Sequence, residues 1–358
     1  MDWFEKVPKV ELHLHLEGAI PHKALWQLVQ KYGGDPSVGS LDDLQAKFEY
    51  RDFPHFLDMW MWKNGFLREY EDFDFIAQAV AEDLSRQNVQ YVEAFYSPPD
   101  FSCHGLETQK LTEAVRAGLD RVPDVEVLLV ADFVRNYGPE QAMLTLGELE
   151  EVSDLGVIGV GLGGAEHEYP PELFERAFHA AREMGFRTTA HAGEAAGAQS
   201  VRRAIADLQV ERIGHGVRAN EDGELVELLA TTQMPLEMCP ISNVRTGVVV
   251  TLDQHPIRTF FESGILVTVN TDDPTMFGTT LAQEYRLLEA ELGFTRKQTR
   301  QLILNGIEAS WMPAAGKELM KRRFQDDPTK RLTELRVAVQ YYTADPKRTL
   351  AINEGSSL

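Results

Sequence analysis

Val10-Glu11-Leu12-His13-Leu14-His15-Leu16-Glu17-Gly18, near the start of the chain, is the stretch from which the fold can be read. Leucine and histidine alternate along it. In a β-strand, side chains at i and i+2 share a face, so His13 and His15 project side by side from a strand end. Two imidazoles placed this way form a ready pair of ligands for a divalent metal.

Outward from this stretch, short runs of strand character recur. Strands are expected near Val10–Leu16, Val89–Ser97, Val125–Phe133, Val157–Leu162, Arg187–His191, Arg212–His215, Pro235–Cys239 and Leu266–Asp272. Amphipathic helical patterns such as Pro171–Met184 and Gly197–Leu208 lie between them. Eight strands alternating with helices predict an α/β fold of the (β/α)8 TIM-barrel type. The 358 residues suit a single barrel domain over 1–358. A segment at about 18–88 interrupts the alternation and carries Trp26, Phe48, Phe56, Trp60, Trp62, Phe66 and Phe73. It is too long for one crossover helix, so it is expected to form a helical insertion over the C-terminal mouth. Its aromatics read equally as a water-excluding lid or as extra core. The polar stretch at about 344–358 is expected to be a frayed tail.

Composition narrows the partners. The formal net charge is −21, which repels phosphate backbones and argues against nucleic acid. No apolar run reaches the ~18 residues of a membrane span, and the N-terminus has no signal-peptide core. Cys103 and Cys239 are the two cysteines, read as free thiols in a reducing compartment. A cytoplasmic protein with a small-molecule substrate is expected. No motif speaks to oligomeric state.

Active sites of such barrels lie at the C-terminal strand ends. Histidines and carboxylates collect there: His13, His15 and Glu17 after strand one, Glu166 after strand four, and His191 and Glu194 after strand five. His215 follows strand six, and Asp272 and Asp273 follow strand eight. A catalytic zinc takes about three or four N/O ligands and keeps one position for water, whose pKa it lowers to about 7. His13, His15 and His191, with Asp272, supply such a set. Glu194, three residues after His191, stands where an acid/base carboxyl can lie beside the metal; equally, it reads as a helix-start glutamate. Gly163-Gly164 read either as a plain turn or as a close approach of backbone to a flat ligand. His22, His55, His104, His167, His179 and His255 read as ordinary core or surface histidines. No lysine occurs between Lys110 and Lys297. A pair of metals bridged by a carboxylated lysine is thereby excluded, and one metal per chain is expected.

Pro8–Gly18, His191-Ala192-Gly193-Glu194, Arg212-Ile213-Gly214-His215-Gly216, Cys239-Pro240-Ile241-Ser242-Asn243 and Asn270-Thr271-Asp272-Asp273-Pro274 together resemble the adenosine deaminase family. The resemblance implies one zinc held by His13, His15, His191 and Asp272. It implies that Glu194 protonates purine N1 and that His215 orients the attacking water. Asp273 would bond N7, and the Gly164 N–H would contact N3. Glu17 and His15 would complete the substrate side. The implied reaction is hydrolytic deamination of a 6-aminopurine, with adenosine placed first. One position departs from the adenosine pattern: many adenosine deaminases have aspartate where Glu17 stands, whereas adenine and aminodeoxyfutalosine deaminases often have glutamate. Tyr96-Ser97-Pro98, in contrast, looks like the nucleoside-acting members. Adenine and aminodeoxyfutalosine therefore remain alternatives. More distant ones are a mononuclear amidohydrolase acting on another substrate and a non-catalytic, zinc-stabilised nucleoside-binding protein.

Overall fold

The computed structural model describes residues 2–326 except position 52; the expected polar tail lies outside the described residues. Eight parallel strands follow one another in sequence order. They are β1 (Lys9–His15), β2 (Val89–Tyr96), β3 (Glu126–Val134), β4 (Val157–Gly163), β5 (Arg187–Ala192), β6 (Arg212–His215), β7 (Leu236–Met238) and β8 (Val267–Val269). The TIM-barrel expectation is met. Runs such as Val127-Leu128-Leu129-Val130-Ala131 are buried throughout, as strands covered on both faces must be.

The last two strands are shorter than the sequence suggests, at three residues each. The chain leaves the ladder early to build the strand-end loops that carry function. Asp272 then closes the barrel through its backbone. It forms a parallel bridge with Leu14, its N–H donates to His13 O at 2.9 Å, and its carbonyl accepts from His15 N at 2.9 Å. One residue thus zips the first and last strands together at the level of the two histidines.

At the opposite end, Val10, Leu12, Tyr91 and Leu128 pack on Ile307, Met312 and Met320 of the C-terminal segment. These strand residues lie early in β1, β2 and β3, so the C-terminal segment stoppers the N-terminal end and leaves the other end open.

Between β1 and β2 run helices His22–Lys31, Leu41–Ala46, Phe53–Asn64 and Tyr70–Arg86. Tyr70–Arg86 buries Phe73, Ile76, Ala77, Val80, Ala81 and Leu84, the three- and four-residue spacing of one helix face. Pro171–Met184 divides into a 3-10 turn at Pro171–Phe174 and an α-helix at Glu175–Glu183. Among the described residues no helix is long and apolar enough to cross a membrane. Cys103 is exposed, Cys239 is buried, and both are free.

Candidate metal centre and active site

At the open end, the side chains singled out from the sequence converge. His191 Nε2 lies 3.0 Å from His13 Nε2 and 3.1 Å from His15 Nε2. Asp272 Oδ1 lies 3.5 Å from His13 Nε2 and 3.3 Å from His15 Nε2. Bonds of about 2.0–2.1 Å to a tetrahedral zinc place ligand atoms about 3.3 Å apart, so the spacing fits one such ion. Four donors of this type suit zinc and, equally, other first-row dications. The field at the site favours a cation. Burial acts to lower His13, but Asp272 and Glu237 outweigh it and raise the imidazole to about 10. Burial acts to raise Asp272, yet its bonds to His13 and His15 hold it well below the usual carboxylate range.

Hydrogen-bond partners decide which nitrogens face the centre. His13 Nδ1 meets Glu237 Oε2 at 2.8 Å, and His191 Nδ1 meets Leu162 O at 3.2 Å. Both partners only accept, so each Nδ1 carries a proton, and Nε2 is the atom each ring would offer to a metal, which in His13 would displace the second proton. His215 also stands close enough to count: it lies with His13, His191 and Asp272 in a cluster whose donor atoms are all within 4.8 Å of one another. Its tautomer sets it apart. The Ile257 backbone N–H donates to His255 Nδ1 at 3.2 Å. Burial lowers His255 to about 3, so the ring is neutral and its proton sits on Nε2, which reaches Asn243 Oδ1 at 3.1 Å. Asn243 Nδ2 then donates to His215 Nδ1 at 3.1 Å. His215 is left with an Nε2–H, a donor rather than a ligand, 3.7 Å from Glu194 Oε2 and 3.9 Å from Asp272 Oδ2.

The backbone is bent to achieve this. His215 and Asp272 have φ of 59° and 64°, a left-handed conformation that L-residues rarely adopt and that gathers at functional sites. A Cβ on Gly18 would sit 1.6 Å from Asp273 Oδ1. The glycine ending the opening motif is therefore the space that Asp273 occupies. Glu194 is set by Glu166, whose carboxylate accepts from the N–H groups of Gly193, Glu194, Ala195 and Ala196 at 2.6–3.1 Å. Burial, with Asp272 and Glu166 adding, pushes the Glu194 carboxyl up to about 8. Burial, again with Asp272, raises Asp273 well above the usual range.

A cavity of about 570 Å³ opens here, lined by His15, His191, Glu194, His215, Asp272, Asp273 and Gly164 among others. Phe56, Leu57, Trp60 and Met61 of helix Phe53–Asn64 form part of its wall, and Trp60 stands edge-on to His15 at 5.9 Å. Glu17 is not on that wall. Its side chain is buried, with Oε1 accepting from Ser97 N at 3.0 Å.

Sequence reasoning missed four supports. Glu237 holds His13, and Arg212 holds Glu237 through Nε at 2.5 Å. Ser242 donates to Asp272 Oδ2 at 2.6 Å. His255, read as an ordinary histidine, is the far end of the chain that sets the His215 tautomer. Glu237 lacks any motif, and only its neighbours in space reveal it. Glu237→Gln is expected to weaken metal binding about 10- to 100-fold, read by competition with a chelating dye. His255→Phe is expected to lower kcat by about 10- to 100-fold with the metal content unchanged, because the Asn243 amide is then free to turn.

The family model described as adenosine deaminase matches residues 8–326. An adenine deaminase of Bordetella avium is 36% identical over 309 residues, covering 86% of this chain and 98% of its own. The crystal structure of adenine deaminase from Arthrobacter aurescens superposes with a TM-score of 0.85 at 31% identity, covering 89% of this chain and 98% of that one. An amidohydrolase from Burkholderia ambifaria with bound Zn gives a TM-score of 0.82 at 28% identity, over 96% and 94% of the two chains.

Proposed function

The chain belongs to the adenosine deaminase family, and from that premise we propose that it hydrolytically removes the 6-amino group of a purine, with free adenine its preferred substrate. The observation that carries the chemistry is the set Glu194, His215 and Asp273 gathered beside a four-donor cation site at the barrel mouth. A divalent ion held by His13, His15, His191 and Asp272 would supply a water of lowered pKa as the nucleophile. Glu194, kept protonated by its burial, gives its proton to N1 and makes C6 electrophilic. The Nε2–H of His215 donates to the oxygen on which charge develops. Asp273, also kept neutral by burial, donates its O–H to N7. The Gly164 N–H donates to N3. Ammonia departs and the 6-oxo purine remains.

The name borne by the relatives supports adenine. Adenosine is the second reading. A cavity of about 570 Å³ favours it, since a bare purine leaves much of that volume unfilled. The test is an ultraviolet absorbance assay of the metal-loaded protein with adenine, adenosine and aminodeoxyfutalosine in parallel. Fastest turnover of adenine supports the proposal, whereas fastest turnover of either of the others replaces the substrate. If no compound reacts, the deaminase reading falls.

Nucleotides should be rejected in either case. Among the described residues no arginine or lysine lines the cavity, whereas Asp100, Asp132, Glu194, Asp272 and Asp273 do. A 5′-phosphate entering this cavity gives up water without meeting a cationic side chain on the wall, and burying an unpaired charge is costly. The kcat/KM for AMP is expected to fall at least about 100-fold below that for adenosine.

A further inference from the structure

Asp132 belongs to none of the motifs, yet it is the most conspicuous unused group in the cavity. It stands near the end of β3, is 4% exposed, lines the cavity, and its Oδ1 is buried with no hydrogen-bond partner. Nearby Arg135 is committed elsewhere, to the backbone oxygens of Tyr169 and His191. Strand β4 has been hollowed to make room for the carboxylate. A Cβ on Gly161 would lie 2.8 Å from Asp132 Oδ1, and one on Gly163 would lie 2.3 Å from Asp132 Oδ2. The Gly161-Leu162-Gly163-Gly164 run is thus a niche for this side chain as well as a flat approach for a ligand. A buried acceptor left without a partner is costly, and a niche built around one points to a donor that arrives with the ligand.

We propose that Asp132 reads the imidazole N–H of an unglycosylated purine, accepting a hydrogen bond from N9–H. The inference rests on the deaminase reading of the site and deepens it. In that reading Glu194, after β5, faces N1, and Gly164, after β4, faces N3. Continuing around the barrel in the same sense, the next strand is β3 and the next ring position carrying a hydrogen is N9. Asp132 is the polar side chain that β3 offers there. Burial, with Asp100 adding, pushes its carboxyl up to about 8; in either protonation state one oxygen remains an acceptor. A nucleoside has the sugar carbon on N9 and offers no donor at that atom. Asp132 therefore separates bases from nucleosides by chemistry.

The test is a comparison of two ligands across three proteins, scored by binding as well as turnover. The ligands are adenine and 9-methyladenine, with hypoxanthine and 9-methylhypoxanthine for calorimetric binding without reaction. The proteins are the wild type, Asp132→Leu and Asp132→Asn, each checked for folding by circular dichroism. Leucine keeps the bulk and removes the acceptor, whereas asparagine keeps an acceptor oxygen. The wild type is expected to favour the unmethylated ligand by about 10- to 100-fold. Asp132→Leu should lose most of that preference and Asp132→Asn should keep part of it. A preference that survives in Asp132→Leu assigns the discrimination to bulk and overturns the proposal. Equal weakening of both ligands makes Asp132 structural and also overturns it. If Asp132→Leu does not fold, the asparagine variant decides: full wild-type discrimination or equal losses for both ligands rejects the proposal, and a partial loss for the unmethylated ligand alone supports it. Asp132-dependent binding without turnover leaves this inference standing and removes the deaminase reading instead.

Discussion

Glu194→Gln is expected to lower kcat by about 10²–10⁴-fold while metal content and thermal unfolding stay at wild-type values. Glutamine preserves the shape and keeps the backbone N–H bonds to Glu166, so the loop that presents residue 194 does not change. What is lost is a proton at the right place. The carboxyl sits deep enough for burial to hold it protonated, and Asp272 and Glu166 reinforce this. It can therefore donate to a ring nitrogen at neutral pH, which an ordinary carboxylate cannot do. The sign of the pH dependence follows. The reactive form is the protonated one, so kcat/KM declines as pH rises through the raised pKa of Glu194. That alkaline limb should be absent from the residual activity of Glu194→Gln. A variant that keeps wild-type kcat, or that loses its metal, would remove Glu194 from the acid role.

Arg212→Met is expected to be among the most destabilising single changes in the protein, costing about 3–5 kcal/mol in reversible denaturant unfolding. Arg212 is 1% exposed. It pairs with Glu93 and Glu237 and lies 3.5 Å over the Trp311 ring. Glu93 in turn accepts from Tyr91 OH at 2.7 Å and from Trp311 N at 2.6 Å. Methionine fills the space but removes the cation that two buried carboxylates share. The effect should also reach the site. Glu237 without Arg212 is a stronger base, so His13 is held in a different balance and metal affinity should shift along with stability. Unfolding within about 1 kcal/mol of wild type would show that the two glutamates neutralise by protonation, and would make the layer electrostatically dispensable.

These two residues illustrate what was legible. Glu194 was readable because it lies three positions from His191 on one strand-end loop. Local spacing there survives into space. Arg212 sits inside a quoted motif, yet its task was not readable, because both of its carboxylates come from other strands. The helices between β1 and β2 were readable as helical from length and aromatic content. Which aromatics face the histidine cluster was not: Trp60 approaches His15, whereas Trp62 turns away to Asp35, donating to Oδ2 at 2.9 Å. Two tryptophans two residues apart on a helix point in different directions, and only packing selects between them.

By itself the sequence determined the order of eight strands, because each is a short buried run whose period and flanking turns are local properties. It also determined which chemistry-bearing residues end those strands, because in a parallel barrel the C-terminal end of every strand opens on the same mouth. Only the tertiary structure decided the roles within that mouth. His215 lies as close to the centre as the other imidazoles, and a hydrogen-bond chain through Asn243 and His255 to a backbone amide makes it a donor. Asp132 became visible only where β3 and β4 lie side by side and two missing Cβ atoms leave its carboxylate a place. Protonation, tautomer and partner are set by atoms within hydrogen-bond reach, and in a closed barrel those atoms belong to strands far apart in the chain.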